Sequence, residues 1–137
     1  MKDEKCLFCQ IVAGEEPSTK VWENEEFLCI QNKYPVSPIH VLVVPKAHIV
    51  KTMWIAPLRD PTSLFELCGV KLRGAKLVVS MNQFWGKMMT AVFAVVHQLE
   101  LDKSGYKLVN NGAGYNHFEH EHMHILGGTK TEPGGTT

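Results

Sequence analysis

One stretch constrains this chain more than any other: His117-Phe-Glu-His120-Glu-His122-Met-His124-Ile-Leu-Gly127-Gly128. On an extended strand, alternate side chains point the same way. His120, His122 and His124 then line one face, while Met123 and Ile125 turn toward a core. The pattern predicts a last strand over 118–126, stopped by the two glycines. Three imidazoles on one face can bind metal, hold phosphate, or serve as nucleophile and acid–base groups. Same-face neighbours on a strand lie about 6.5–7 Å apart, whereas histidine nitrogens sit about 2.0–2.1 Å from a zinc ion. Three in a row therefore do not converge easily on one ion, and the spacing suits a separate partner for each. A hydrolase using all three as metal ligands is the weaker alternative.

The rest of the chain supplies a scaffold of ordinary size. Its 137 residues suffice for one domain with one core. Lys and Arg together number 14, as do Asp and Glu. That balance argues against a broad nucleic-acid surface, which needs a basic excess, but not against a small anionic ligand. No long apolar run follows the charged opening residues, and the most apolar stretch, 91–96, is too short for a bilayer. The expectation is a cytoplasmic protein with neither a membrane nor a nucleic-acid partner.

Hydrophobic patterning predicts a short helix or turn over 6–13, ended by Gly14. Strands follow at 20–23 and 27–30, joined by a polar turn at Asn24 and Glu25. A proline-bearing loop covers 32–38, and a buried strand runs over 40–44 until Pro45 stops it. Phe84, Met88, Val92, Val95, Val96 and Leu99 recur at helical spacing and predict a helix over 83–99, with Ser80 or Asn82 at its cap. A strand at 106–109 leads to a Gly/Asn loop over 110–116. The span 52–80 carries Trp54, Leu58, Leu64, Phe65, Leu67, Leu77 and Val78, too apolar for a solvated linker. It reads as a helical turn at 63–68 and a strand at 76–80. A mobile tail is expected from Thr129.

The four cysteines are Cys6, Cys9, Cys29 and Cys68, not the dense framework of a secreted disulfide scaffold. The C-x-x-C pair allows three readings: a metal site needing two further ligands, a redox pair, or two buried thiols. A redox pair usually precedes a helix in a βαβ setting, and none is evident. Cys29 and Cys68 read as core residues. His40 and His97 read as structural, and Trp22, Trp54 and Trp85 as core or interface residues.

Four blocks together resemble the histidine-triad (HIT) superfamily. They are Cys6-Leu-Phe-Cys9-Gln-Ile-Val-Ala-Gly-Glu-Glu-Pro, Pro38-Ile-His40-Val-Leu-Val-Val-Pro45-Lys46-Ala-His48, Gly105-Tyr106 leading to Asn110-Asn111-Gly112, and His120-Glu-His122-Met-His124-Ile-Leu-Gly-Gly. The last is similar to the family's nucleoside-phosphoramidase branch. The resemblance implies an α+β fold: an antiparallel five-stranded sheet with one main helix packed on it, pairing as a homodimer. It implies that His122 is the nucleophile, that His124 holds phosphate, and that Asn110 or Asn111 binds ribose or phosphate oxygens. The C-x-F-C start is similar to chains that hold structural zinc with two cysteines and two histidines, here Cys6, Cys9, His48 and His120. The implied ligand is a purine nucleotide or nucleoside phosphoramidate.

The chain departs from the family pattern in four places. Tyr115-Asn116-His117 stands where Gly-Gln-Ser or Gly-Gln-Thr is common; Asn116 keeps an amide and His117 a donor for phosphate. Asn32 replaces an Asp that accepts from ribose, keeping a carbonyl acceptor without the charge. Glu119 and Glu121 occupy usually apolar positions and need solvent or a cationic partner. The span from His48 to the main helix is longer by roughly two dozen residues, so 52–80 is expected to be an inserted hairpin, cap or dimer element of a single domain spanning 1–137. The resulting expectation is a hydrolase that cleaves a nucleotide's α-phosphate bond through a nucleotidyl-histidine. The alternative is a non-catalytic nucleotide- or partner-binding module on the same fold.

Overall fold

The computed structural model describes residues 3–60, 62, 64–67 and 70–129. Helix α1 is Leu7–Val12. Strands β1 (Lys20–Glu23) and β2 (Phe27–Gln31) form a hairpin. Its turn closes because Asn24 Oδ1 accepts from the N–H groups of Glu26 (2.9 Å) and Phe27 (2.7 Å), the local bonding that favours Asn in turns. Strand β3 is Ile39–Pro45. A 3-10 turn over Lys51–Trp54 and helix α2 (Ala56–Arg59) follow, then a hairpin of β4 (Phe65–Leu67) and β5 (Val70–Leu72). The long helix α3 is Gly74–Gln98 and the short α4 is Leu101–Ser104. Strands β6 (Tyr106–Val109) and β7 (Met123–Gly127) are the last elements of the described residues. The main sheet is antiparallel, in the order β1-β2-β3-β7-β6.

Strand alternation divides the buried residues between two faces. Phe27, Cys29, Val41, Val43, Met123 and Ile125 pack with Phe84, Met88, Val92, Val95 and Val96 of α3. Phe8 of α1 joins Leu28, Ile30, Leu42 and Val44 on the other face. His40 and His124 share that second face, because they alternate with Val41 and Ile125.

Three expected elements are corrected. Residues 76–80 belong to α3, not to a strand. Leu77 is fully buried seven residues before Phe84, so the apolar stripe continues upstream while Val78 and Val79 point outward. Packing of that stripe overrides local β-propensity. The helix therefore begins nine residues before the expected start, with Arg73 as its N-cap instead of Ser80 or Asn82. Residues 65–67 form a strand instead of a helical turn; Ser63 and Cys68 lie outside the described residues, as does the tail beyond Thr129.

The last strand is also shorter than expected, Met123–Gly127. Its partner β3 ends at Pro45, which has no N–H to extend a ladder. Upstream, the chain pairs instead with 49–51, through a Val50–His120 bridge and bonds from Glu121 N–H to the Ile49 carbonyl and from Lys51 N–H to the Glu119 carbonyl. The closing glycines sit in tight space, and Gly128 also holds a backbone conformation that L side chains rarely adopt. A Cβ on Gly127 would meet Leu101 at 2.8 Å, and one on Gly128, at φ +87°, would meet Pro38 at 2.8 Å.

Candidate functional site

His122 is buried, 3% exposed, with the Phe8 ring 5.2 Å and the Phe118 ring 6.5 Å away between centroids. Its Nδ1–H donates to the His120 carbonyl at 2.8 Å. That bond fixes the tautomer and leaves the lone pair on Nε2. Burial pushes the His122 pKa below its ordinary value, so the ring is a neutral imidazole at pH 7.

His124 follows at 5.2 Å between ring centroids. Its Nδ1 lies 2.8 Å from His40 Nε2, and the Val36 N–H donates to His40 Nδ1 at 3.1 Å. Because His40 Nδ1 accepts, its proton sits on Nε2 and is donated to His124. His124 then carries its own proton on Nε2, a donor suited to a phosphate oxygen. His40, expected to be structural, thus orients the third histidine of the triad. Sequence reading missed that link because it depends on the β3–β7 register, which pairs Leu42 with His124 and His40 with Leu126.

Burial, reinforced by His122 and His40, lowers the His124 pKa to about 4. An unfolded histidine titrates near 6.5. As pH falls, the unfolded chain therefore takes up this proton first. The contribution is fully present above pH ~6.5 and is lost as pH drops toward 4. Discounted for solvent screening, it amounts to roughly 1–2 kcal/mol. Urea unfolding at pH 7 and pH 4.5 checks this: His124→Asn should show a shallower loss of stability than the intact chain by that amount.

A second cluster lies on the other side of His120. Cys6, Cys9, His48 and His120 each present a ligand atom, all within 4.8 Å of one another. Cys6 Sγ is 3.3 Å from His120 Nδ1, and Cys9 Sγ is 3.3 Å from His48 Nδ1 and 3.6 Å from His120 Nδ1. A tetrahedral zinc ion with ordinary bond lengths sets such S···N separations at about 3.5 Å. The surroundings fit as well. His120 Nε2–H donates to the Pro45 carbonyl at 2.8 Å, turning its Nδ1 lone pair toward the thiols, as ligating histidines do. The Asp3 carboxylate stands 3.8 Å from His48 Nε2. Burial pushes the Cys9 thiol up and His120 down to about 4; both shifts favour neutral groups, and a bound cation reverses the preference at the thiol. The donor set thus fits a metal ion. Cys29 is a fully buried core thiol, pushed up to about 12 by burial.

Glu121, expected to need solvent or a cationic partner, is fully buried and has the cation. Its fully buried carboxylate accepts from Lys51 Nζ (2.5 Å), Trp54 Nε1 (2.6 Å), Asn110 Nδ2 (2.8 Å) and the His122 N–H (2.9 Å). Asn110 is thereby turned inward, and its Oδ1 accepts from Lys51 Nζ at 3.1 Å. Asn116 also spends its amide within the protein: Nδ2 donates to the Phe118 carbonyl (3.0 Å) and Glu119 Oε1 (2.9 Å), and Oδ1 accepts from the Gly114 N–H (3.2 Å). Asn111 is half-buried at the start of this loop and His117 is exposed near its end. Asn32 Oδ1 accepts from the Tyr34 N–H at 3.0 Å, while its Nδ2 lies 3.0 Å from the protonated His40 Nε2. A carboxylate at this position would accept from both neighbours. Among the described residues, no buried side-chain nitrogen or oxygen lacks a partner, and no helix is long and apolar enough to cross a membrane.

Comparison with known proteins finds relatives in sequence and in fold. The family described as "Scavenger mRNA decapping enzyme C-term binding" matches residues 5–61. An uncharacterized HIT-like protein of Helicobacter pylori is 32% identical over 127 residues, covering 90% of this chain and 97% of that protein. The mouse adenosine 5'-monophosphoramidase HINT3 is 45% identical over 49 residues, 34% of this chain and 30% of that one. The solved structure of a histidine triad protein from Clostridium difficile superposes with a TM-score of 0.69 at 28% identity, covering 95% of this chain and 96% of that one. Sequence similarity over nearly the whole length and a shared overall fold lead to one conclusion: the chain belongs to the histidine-triad (HIT) family.

Proposed function

We propose that this protein is a nucleotide hydrolase that cleaves the P–N bond of a purine nucleoside phosphoramidate, or a related α-phosphate bond, through a nucleotidyl-histidine. One observation carries the reading. His122 is a buried neutral imidazole whose Nδ1–H is held by the His120 carbonyl, so that Nε2 offers its lone pair. In-line attack by Nε2 forms a P–N bond to His122 as the bond to the leaving amine breaks. The Nδ1–H···O=C bond stabilises the positive charge that develops on the ring. The His124 N–H and His117 donate to phosphate oxygens, and the leaving amine takes its proton from solvent. Asn32 and Asn111 bind ribose or phosphate oxygens, while Asn110 and Asn116 contribute by shaping the loop. Water then attacks phosphorus, releasing the nucleotide and restoring the imidazole. The likeness to a monophosphoramidase supports the choice of substrate.

The same reading places a structural zinc ion on Cys6, Cys9, His48 and His120 of a single domain, assembled as a homodimer. A closed set of four protein ligands leaves no position for substrate. A second reading, a nucleotide-binding module without turnover, draws on the internal engagement of the Asn110 and Asn116 amides. Release of amine from a fluorogenic adenosine phosphoramidate separates the two. The hydrolase turns over and His122→Ala does not; a binding module binds AMP and releases nothing.

A further inference from the structure

Both backbone groups of the proposed nucleophile are gripped by side chains. The His122 N–H donates to Glu121 Oε1 at 2.9 Å. The His122 carbonyl accepts from Lys51 Nζ at 3.3 Å and Asn110 Nδ2 at 3.2 Å. Lys51 and Glu121 also bond each other, and both are buried, at 6% and 0% side-chain exposure. His122 stands just before β7, whose regular pairing begins at Met123. From the structure we infer that Lys51 and Glu121 are positioning residues: together they lock the backbone of residue 122, and through it the direction of its imidazole. The inference rests on His122 being the nucleophile.

The alternative is that the pair only fills the core. Energetics distinguish the cases. A buried ion pair gives little net stability over apolar residues of similar size, because both charges lose their hydration. Removing one partner strands a charge, whereas removing both need not unfold the protein. Trp54 Nε1 completes the carboxylate's donors from the 3-10 turn, so the pair couples that turn to the nucleophile. Misplacing a reacting group by about 1 Å can cost about a hundredfold in rate.

The test is the double variant Lys51→Met/Glu121→Leu beside the intact chain, with two readouts. In turnover of the adenosine phosphoramidate, kcat should fall about a hundredfold while KM stays within about threefold. In amide hydrogen exchange, the His122 N–H of the intact chain should be protected like Ile125 in β7 and should lose at least about tenfold of that protection in the variant, with Ile125 unchanged. A variant that melts normally and keeps kcat within about threefold overturns the inference. So does a His122 amide in the intact chain that exchanges as fast as Gly112 in the loop, a measurement that stands even if the variant does not fold. Absence of turnover in the intact chain counts against the proposed hydrolase, and the exchange results then decide the positioning of His122 alone.

Discussion

His122→Ala is expected to lower kcat for an adenosine phosphoramidate by at least about a thousandfold, the scale on which loss of a nucleophile acts. No neighbour can replace it. His124 Nδ1 is occupied by His40, and its remaining nitrogen carries a proton. His120 spends Nε2 on Pro45 and turns Nδ1 toward the cysteines. Among the described residues, only Nε2 of His122 combines a lone pair with a place in the face shared by His124 and His40. AMP affinity should change by less than about tenfold, because the proposed nucleotide contacts lie on other residues. Steady-state kinetics and calorimetric titration of AMP check the two parts. A variant that retained turnover would remove His122 from the mechanism.

Metal removal should produce the second large effect, on stability. Cys6 and Cys9 flank the start of α1, His48 follows β3, and His120 precedes β7. A metal ion across this set ties the N-terminal helix to the stretch that carries the triad. With free zinc a thousandfold above its dissociation constant, binding stabilises the folded chain by about 4 kcal/mol. Chelation, or Cys9→Ser, should then lower the melting temperature by roughly 10–15 °C. Elemental analysis should find one zinc per intact chain and none in the variant. The chelated protein should lose stability before it loses turnover, since His122 Nε2 is not among the ligand atoms. A chelated chain that stays folded yet inactive would favour the metal-dependent alternative.

Much of the candidate site was legible in the sequence because strand chemistry repeats every second residue. His120, His122 and His124 announced themselves by spacing, and the C-x-x-C pair by its thiols. The five strands of the main sheet were visible for the same reason, each a short β-branched or aromatic run bounded by turn residues. What escaped depended on contacts between distant segments. His40 became a partner of His124 only once β3 and β7 were in register. Glu121 could be recognised as needing solvent or a cation, but not which of the two, and Lys51, seventy residues away, could not be named. The start of α3 was misread because Val78 and Val79 favour strands locally, while only Leu77 on that turn feels the core. Asn110 and Asn116 were expected to face a nucleotide; the structure engages their amides within the protein instead.

Capture of the covalent intermediate tests the role of His122 most directly. The intact chain is mixed with an adenosine phosphoramidate, quenched in alkali, where a phosphorus–imidazole bond survives, and analysed by intact and peptide mass spectrometry. One adenylyl group per chain is expected, mapped to His122 and absent from His122→Ala. Turnover with no adduct, or an adduct on another residue, would contradict that role.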